Sequence, residues 1–124
     1  MREQEKVLIA DDSRGIRDFL IEYILKPKGF KVITATNGRE GLELAKKHRP
    51  QLMIVDNQMP FLTGLELLQT LYESGIRIPA ILMTAHGSEQ IAIDAFRLGI
   101  RDYVIKPFVV EEMNASIDRA LRES

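Results

Sequence analysis

The stretch VLIADDSRG, Val7 to Gly15, poses the problem that decides the fold. Its first four residues are apolar or small, and bounded by turn-forming residues they read as a buried strand. That strand runs straight into two adjacent carboxylates, Asp11 and Asp12. A buried strand does not end on two like charges unless something at its tip needs them. Ser13 then stands where a helix N-cap is expected, so the stretch is a strand, a charged tip and a helix start.

The same unit recurs along the chain. Apolar runs of strand length occur at Val7–Ala10, Val32–Ala35, Leu52–Val55, Ala80–Met83 and Tyr103–Ile105. Between them the apolar residues keep helical spacing. Ile16, Phe19, Leu20, Tyr23 and Ile24 form one stripe, Leu65, Leu68 and Tyr72 with Leu71 beside them a second, and Met113, Ile117, Ala120 and Leu121 a third. Gly29, Gly75 and Gly99 stand where helices stop, and Pro27 breaks the first helix near Lys26. Thr63-x-x-Glu66 is a capping box, Asn37-x-x-Glu40 a looser relative, and Ser88 a further N-cap. Strands alternating with helices imply an α/β fold, a doubly wound five-stranded parallel sheet with helices on both faces and right-handed crossovers. With no linker, repeat or low-complexity segment, residues 1–124 read as a single domain.

Composition narrows the function. The chain is 45% hydrophobic, enough to build a core, and its net charge of −1 with no Lys/Arg run longer than two gives little support for nucleic-acid binding. It has no cysteine, which excludes thiolate zinc and thiol catalysis. No apolar run reaches a membrane span, and MREQEKV lacks the apolar core of a signal peptide, so a cytoplasmic protein is expected.

Ligands of such sheets bind beyond the carboxyl ends of the strands. There the sequence places Asp11 and Asp12, then Asp56 after LMIV, Thr84 after AILM, and Lys106 followed by Pro107 after YVI. Each alone has a plain structural explanation as a turn former, a cap or a solvated lysine. Capping does not explain two acids in tandem plus a third on the neighbouring strand. Two unit charges 4 Å apart at an effective dielectric near 20 repel by about 4 kcal/mol. A hard divalent cation removes that cost, and an all-oxygen site with room for water suits Mg²⁺. Mg²⁺ beside a lysine suits a phosphoryl group, with a carboxylate available as nucleophile.

At these residues the chain resembles the receiver domains of bacterial response regulators. The likeness rests on IADDS, MIVDNQMP, LTGLELL, ILMTA and AFRLGIRDYVIKPF, and spans nearly the whole chain. It implies the flavodoxin-like (βα)5 fold with strand order 2-1-3-4-5. It implies that Asp56 accepts a phosphoryl group from a sensor histidine kinase or a phosphotransfer domain. Asp12, Asp56 and the backbone carbonyl of Gln58 would bind Mg²⁺ directly, and Asp11 through water. Lys106 would pair with a phosphoryl oxygen across a bond to Pro107 that is often cis in the family. Thr84 would swing its hydroxyl onto the phosphoryl group, Tyr103 would follow from an outward to an inward rotamer, and Gln58 and His86 would tune water access. The downstream effector would read the face of the fourth helix, fifth strand and fifth helix. On this reading the protein is a switch that assists its own phosphorylation and dephosphorylation, not a turnover enzyme.

Some positions depart from the family pattern. Asn57 follows the acceptor where an apolar residue is usual, Thr63 replaces a common Asp, and Val109 stands where Asp or Asn often opens the fifth helix. His48, ending the second helix, reads as a surface residue suited to a helix C-terminus and not as a ligand. Three rivals remain at this point. A haloacid dehalogenase-type phosphatase needs Asp-x-Asp and a cap, but the acids here are adjacent. A flavodoxin-like cofactor binder needs a Ser/Thr/Gly-rich phosphate loop, and DDSRG is acidic. A degenerate receiver that only docks to partners would not need the complete residue set.

Overall fold

The structure, a computed structural model, describes residues 4–122. Five strands alternate with helices: β1 (Lys6–Ala10), α1 (Arg14–Leu20), β2 (Lys31–Ala35), α2 (Gly38–His48), β3 (Leu52–Asp56), α3 (Gly64–Glu73), β4 (Ala80–Thr84), α4 (Glu89–Arg97), β5 (Asp102–Ile105) and α5 (Val110–Arg122). The strands form one parallel sheet in the order β2-β1-β3-β4-β5, as the resemblance implies.

Patterning along the strands follows their place in the sheet. β3 and β4 are buried at every position, so they read as continuous apolar runs, whereas the edge strands β2 and β5 carry exposed residues. Alternate residues serve opposite faces. Leu8, Met53, Val55 and Leu82 meet Leu67, Leu71 and Ala95 of α3 and α4 on one side. Val7, Ile9, Ile54 and Met83 meet Leu20, Ile24, Met113 and Ile117 of the first and fifth helices on the other.

Capping residues end up where the sequence places them. Ser13, Asn37, Thr63 and Ser88 each accept a backbone N–H of the helix they precede, and Thr63 with Glu66 completes a capping box. Gly29, Gly75 and Gly99 all take positive φ (83°, 75° and 87°), which costs glycine little.

Two of the helical stripes need correction. The first helix does not stay regular to Lys26, because residues Ile21–Leu25 widen into a π-helical turn. There the Lys26 N–H donates to the carbonyl of Ile21, five residues back, at 2.8 Å. The wider turn shifts the buried stripe onto Leu20, Ile24 and Leu25, and Tyr23 is left 66% exposed with its ring against Phe19. In α3 the buried set is Leu67, Leu68 and Leu71, and Tyr72 lies at the rim under the guanidinium of Arg77, 4.2 Å from the ring centre. Among the described residues no helix is long and apolar enough to cross a membrane.

Candidate functional site

Sheet register alone assembles the site. Ala10 pairs with Val55, which sets Asp11 level with Asp56. Asp56 pairs with Met83, so Thr84 lies one residue further on, and Thr84 pairs with Ile105, so Lys106 lies one further again. The tips of β1, β3, β4 and β5 thus bring the three acids, the hydroxyl and the ammonium to one edge.

Asp11, Asp12 and Asp56 each offer a carboxylate oxygen within 4.8 Å of the others. They differ in surroundings. Asp12 is exposed, whereas Asp11 is fully buried and Asp56 is 3% exposed. Both Asp11 oxygens are engaged: Oδ1 accepts the N–H of Ser13 at 2.8 Å, and Oδ2 accepts Lys106 Nζ at 2.9 Å. Lys106 Nζ also sits 3.4 Å from Asp56 Oδ1. That contact is an ion pair only, and Asp56 Oδ1 is buried without a hydrogen-bond donor. Burial first, and then the charge of Asp11, push the Asp56 carboxyl above its ordinary value, against Lys106 and the Gln58 N–H. One lysine faces two buried carboxylates, so the site carries excess negative charge at its centre. The Lys106–Pro107 peptide bond is cis, as the resemblance implies.

Thr84 is fully buried at the tip of β4. Its Oγ1 lies 3.0 Å from Gln58 Nε2, 3.2 Å from Gln58 Oε1, and 3.2 Å from both the N–H and the carbonyl of His86. His86 meets Thr84 through its backbone, and its side chain is on an exposed loop. Tyr103 is half-buried, and its hydroxyl accepts the N–H of Ser88 at 3.3 Å, at the start of α4. His48 ends α2, where loss of hydration and then Lys6, Lys47 and Lys31 lower its pKa; it stands apart from the acids.

Two supporting residues act through contacts that were not legible in the sequence. Gly64 lets the start of α3 close on the acceptor's own peptide. A Cβ there would lie 2.5 Å from the Asp56 carbonyl oxygen and 3.0 Å from Asn57 Cα. Both neighbours are backbone, so Gly64→Ala destabilises by about 2–3 kcal/mol, read as a lower urea midpoint with an unchanged slope. Asn57 is the departure from the family pattern that most needs a reason. Its side chain accepts the N–H of Leu65 at 3.0 Å, and its own N–H donates to the carbonyl of Met83. The carboxamide thus satisfies a free donor in the first turn of α3, which an apolar residue would leave unpaired. Asn57→Ala is expected to cost about 1–2 kcal/mol by thermal denaturation, and Asn57→Asp to retain most of the stability.

The family model of the response regulator receiver domain matches residues 7–118. The chain belongs to that family. It is therefore a receiver domain of the two-component phosphoacceptor type. It is 35% identical over 120 residues to the alkaline phosphatase synthesis transcriptional regulatory protein PhoP of Bacillus subtilis, covering 97% of this chain and 50% of that protein. It is 32% identical to sporulation initiation phosphotransferase F of the same organism, covering 94% of each. A solved CheX–CheY–BeF3–Mg²⁺ complex from Borrelia burgdorferi is similar at TM-score 0.85 and 28% identity, over 91% of this chain and 86% of that one. The chain spans half or less of the length of several curated relatives, 50%, 25% and 47% of three of them. Nothing in these comparisons supports a phosphatase of the haloacid dehalogenase type or a flavin binder.

Proposed function

We propose that residues 1–124 form one receiver domain and that Asp56 is the phosphoacceptor of a cytoplasmic switch, charged by a sensor histidine kinase or a phosphotransfer domain in a Mg²⁺-dependent step. The observation that carries this reading is the buried Oδ1 of Asp56, met only by the Lys106 ammonium at 3.4 Å, beside two more carboxylates. A cluster with that much uncompensated charge fits a hard divalent cation. Asp12, exposed and next to solvent, Asp56 and the Gln58 carbonyl would hold Mg²⁺. Asp11 would act through water, since both its oxygens are already bonded to Ser13 and Lys106. When bound, Mg²⁺ supplies positive charge for the equatorial phosphoryl oxygens. The BeF3 and Mg²⁺ in the similar Borrelia complex support this reading by likeness.

The protein's own residues then divide the work. The Asp56 carboxylate attacks phosphorus, the bond from phosphorus to the donor imidazole nitrogen breaks, and that nitrogen leaves with the electron pair and takes up a proton. Lys106, already poised between Asp11 and Asp56, turns to a phosphoryl oxygen. Thr84 leaves Gln58 and His86 and donates its hydroxyl to another. These partners exist only in the modified state, so they bias the conformational equilibrium. Going from 1:99 to 99:1 takes about 5.5 kcal/mol of differential interaction, within reach of a few charge-assisted bonds. Tyr103 follows Thr84 inward, releasing Ser88 at the start of α4. His86 and Gln58 tune access of water to the acyl phosphate.

An effector reads the change on the face of α4, β5 and α5, with no direct role for nucleic acid or membrane. That face carries exposed Phe96, Ile105 and Val109 and a shallow hollow of about 320 Å³ beside Tyr103 and Ile105. A degenerate, docking-only receiver would leave the full acid, lysine and hydroxyl set unexplained. Acetyl phosphate with Mg²⁺ is expected to add one phosphoryl mass to the intact protein, and a chelator to prevent it. No mass gain under saturating Mg²⁺ would overturn the proposal in favour of docking alone.

A further inference from the structure

We infer that the Gln58 side chain is a latch on Thr84, a positioning residue that holds the switch hydroxyl away from the acceptor in the unmodified protein. The inference rests on the reading of Thr84 as the residue that meets the phosphoryl group, and it concerns the state before that meeting.

The Gln58 carboxamide spans two loops. Its Nε2 and Oε1 lie 3.0 and 3.2 Å from Thr84 Oγ1, and Oε1 also accepts the N–H of Ala85 at 3.4 Å. A threonine hydroxyl has one proton to donate and lone pairs to accept with, and a carboxamide offers both partners at once. The amide therefore complements the hydroxyl whichever of the two donates. Thr84 is fully buried, so its hydroxyl cannot turn to water as a substitute partner. Gln58 is itself exposed, and the amide contacts the tip of β4 from outside the packed core.

The consequence is a cost of departure. To reach a phosphoryl group on Asp56, Thr84 Oγ1 must give up the Gln58 amide along with the two backbone contacts of His86. The His86 contacts come from the backbone and survive any substitution. The Gln58 contact is the adjustable one. Removing it leaves Thr84 freer to move, so a given phosphoryl group shifts the equilibrium further. One net hydrogen bond corresponds to about a fivefold change in that equilibrium.

The test is a double-mutant cycle on the whole chain: wild type, Gln58→Leu, Thr84→Ala and the pair, each titrated with beryllofluoride and Mg²⁺ and followed by the backbone NMR shifts of Gly87 and Lys106. Gln58→Leu is expected to bind about fivefold more tightly than wild type, and the gain to vanish in the Thr84→Ala background. A gain that persists without the Thr84 hydroxyl would show that Gln58 acts directly on the phosphoryl site, and overturn the latch. So would an unchanged affinity in Gln58→Leu. The side-chain couplings of Thr84 in the untreated protein give a second reading, independent of phosphoryl chemistry. A single rotamer in wild type that becomes averaged in Gln58→Leu supports the latch, and identical couplings overturn it. Should wild type take up no beryllofluoride at all, the phosphoacceptor reading fails while the couplings still decide the latch.

Discussion

Asp56→Asn melts higher than the wild type in metal-free buffer at neutral pH, by roughly 5 °C for a gain of about 1–2 kcal/mol. Loss of an ordinary surface carboxylate would change little. Here the native side chain is buried, its Oδ1 has no hydrogen-bond donor, and Asp11 repels it from the neighbouring strand tip. An amide of the same shape removes the charge and leaves Lys106 paired with Asp11 at 2.9 Å. The pH dependence follows from the direction of the shift. Because folding raises the Asp56 pKa, the unfolded chain binds fewer protons there than the folded one, and the penalty is full above the folded value. As pH falls through that raised value toward the ordinary 3.8, the folded carboxyl takes up its proton and the penalty fades. The advantage of the variant therefore shrinks on acidification. Mg²⁺ raises the melting temperature of the wild type and closes the gap with the variant. A variant less stable than wild type at pH 7, with no response of either to Mg²⁺, would mean that the acids are not in mutual strain.

Lys106→Ala produces the opposite and larger effect. Its ammonium is the shared partner of two buried carboxylates, 2.9 Å from Asp11 and 3.4 Å from Asp56. Removing one partner of a buried pair leaves an uncompensated charge and costs about 3–5 kcal/mol, or roughly 10–15 °C here. The loss is full at neutral pH and recedes on acidification, as Asp56 takes up its proton through its raised value. Added Mg²⁺ restores much of it, since the cation answers the same charge. The functional consequence separates from the stability one. With Mg²⁺ present the variant folds and binds metal, but phosphorylation no longer changes the environment of Tyr103, because the ammonium that would bridge β5 to the phosphoryl group is gone. A Tyr103 resonance that shifts as in wild type would show that Lys106 serves only to balance charge.

The parts of the molecule that could be read in the chain were those set by short-range rules. Strand runs, caps and positive-φ glycines depend on local sequence, and Thr63–Glu66, Ser88 and Gly99 all sit where those rules put them. The acid, hydroxyl and lysine set was legible because parallel register carries every strand tip to one edge. The misread stripes have a different origin. Helical spacing assumes an even turn, and the π turn at Ile21–Leu25 breaks that assumption, so Tyr23 faces out where regular spacing faces it in. Tyr72 lay within the stripe by spacing alone, although its rim position depends on how α3 rolls against the sheet. Asn57 was visible as an oddity, but its partner, the Leu65 N–H, is fixed by the path of the loop between them. Gln58 was expected to tune water access, but the contact of its amide with Thr84 was not legible, since it joins the loop after β3 to the tip of β4, 26 residues away.

The central claim is that phosphorus becomes bonded to Asp56 and to no other residue. The direct measurement is to treat the protein with acetyl phosphate and Mg²⁺, reduce the acyl phosphate with borohydride, and map the product by peptide mass spectrometry. Reduction converts a phosphorylated aspartate to homoserine, so homoserine at position 56 alone, absent when a chelator is added, is the predicted result. Homoserine at position 11 or 12, or modification that persists unchanged in Asp56→Asn, would contradict it.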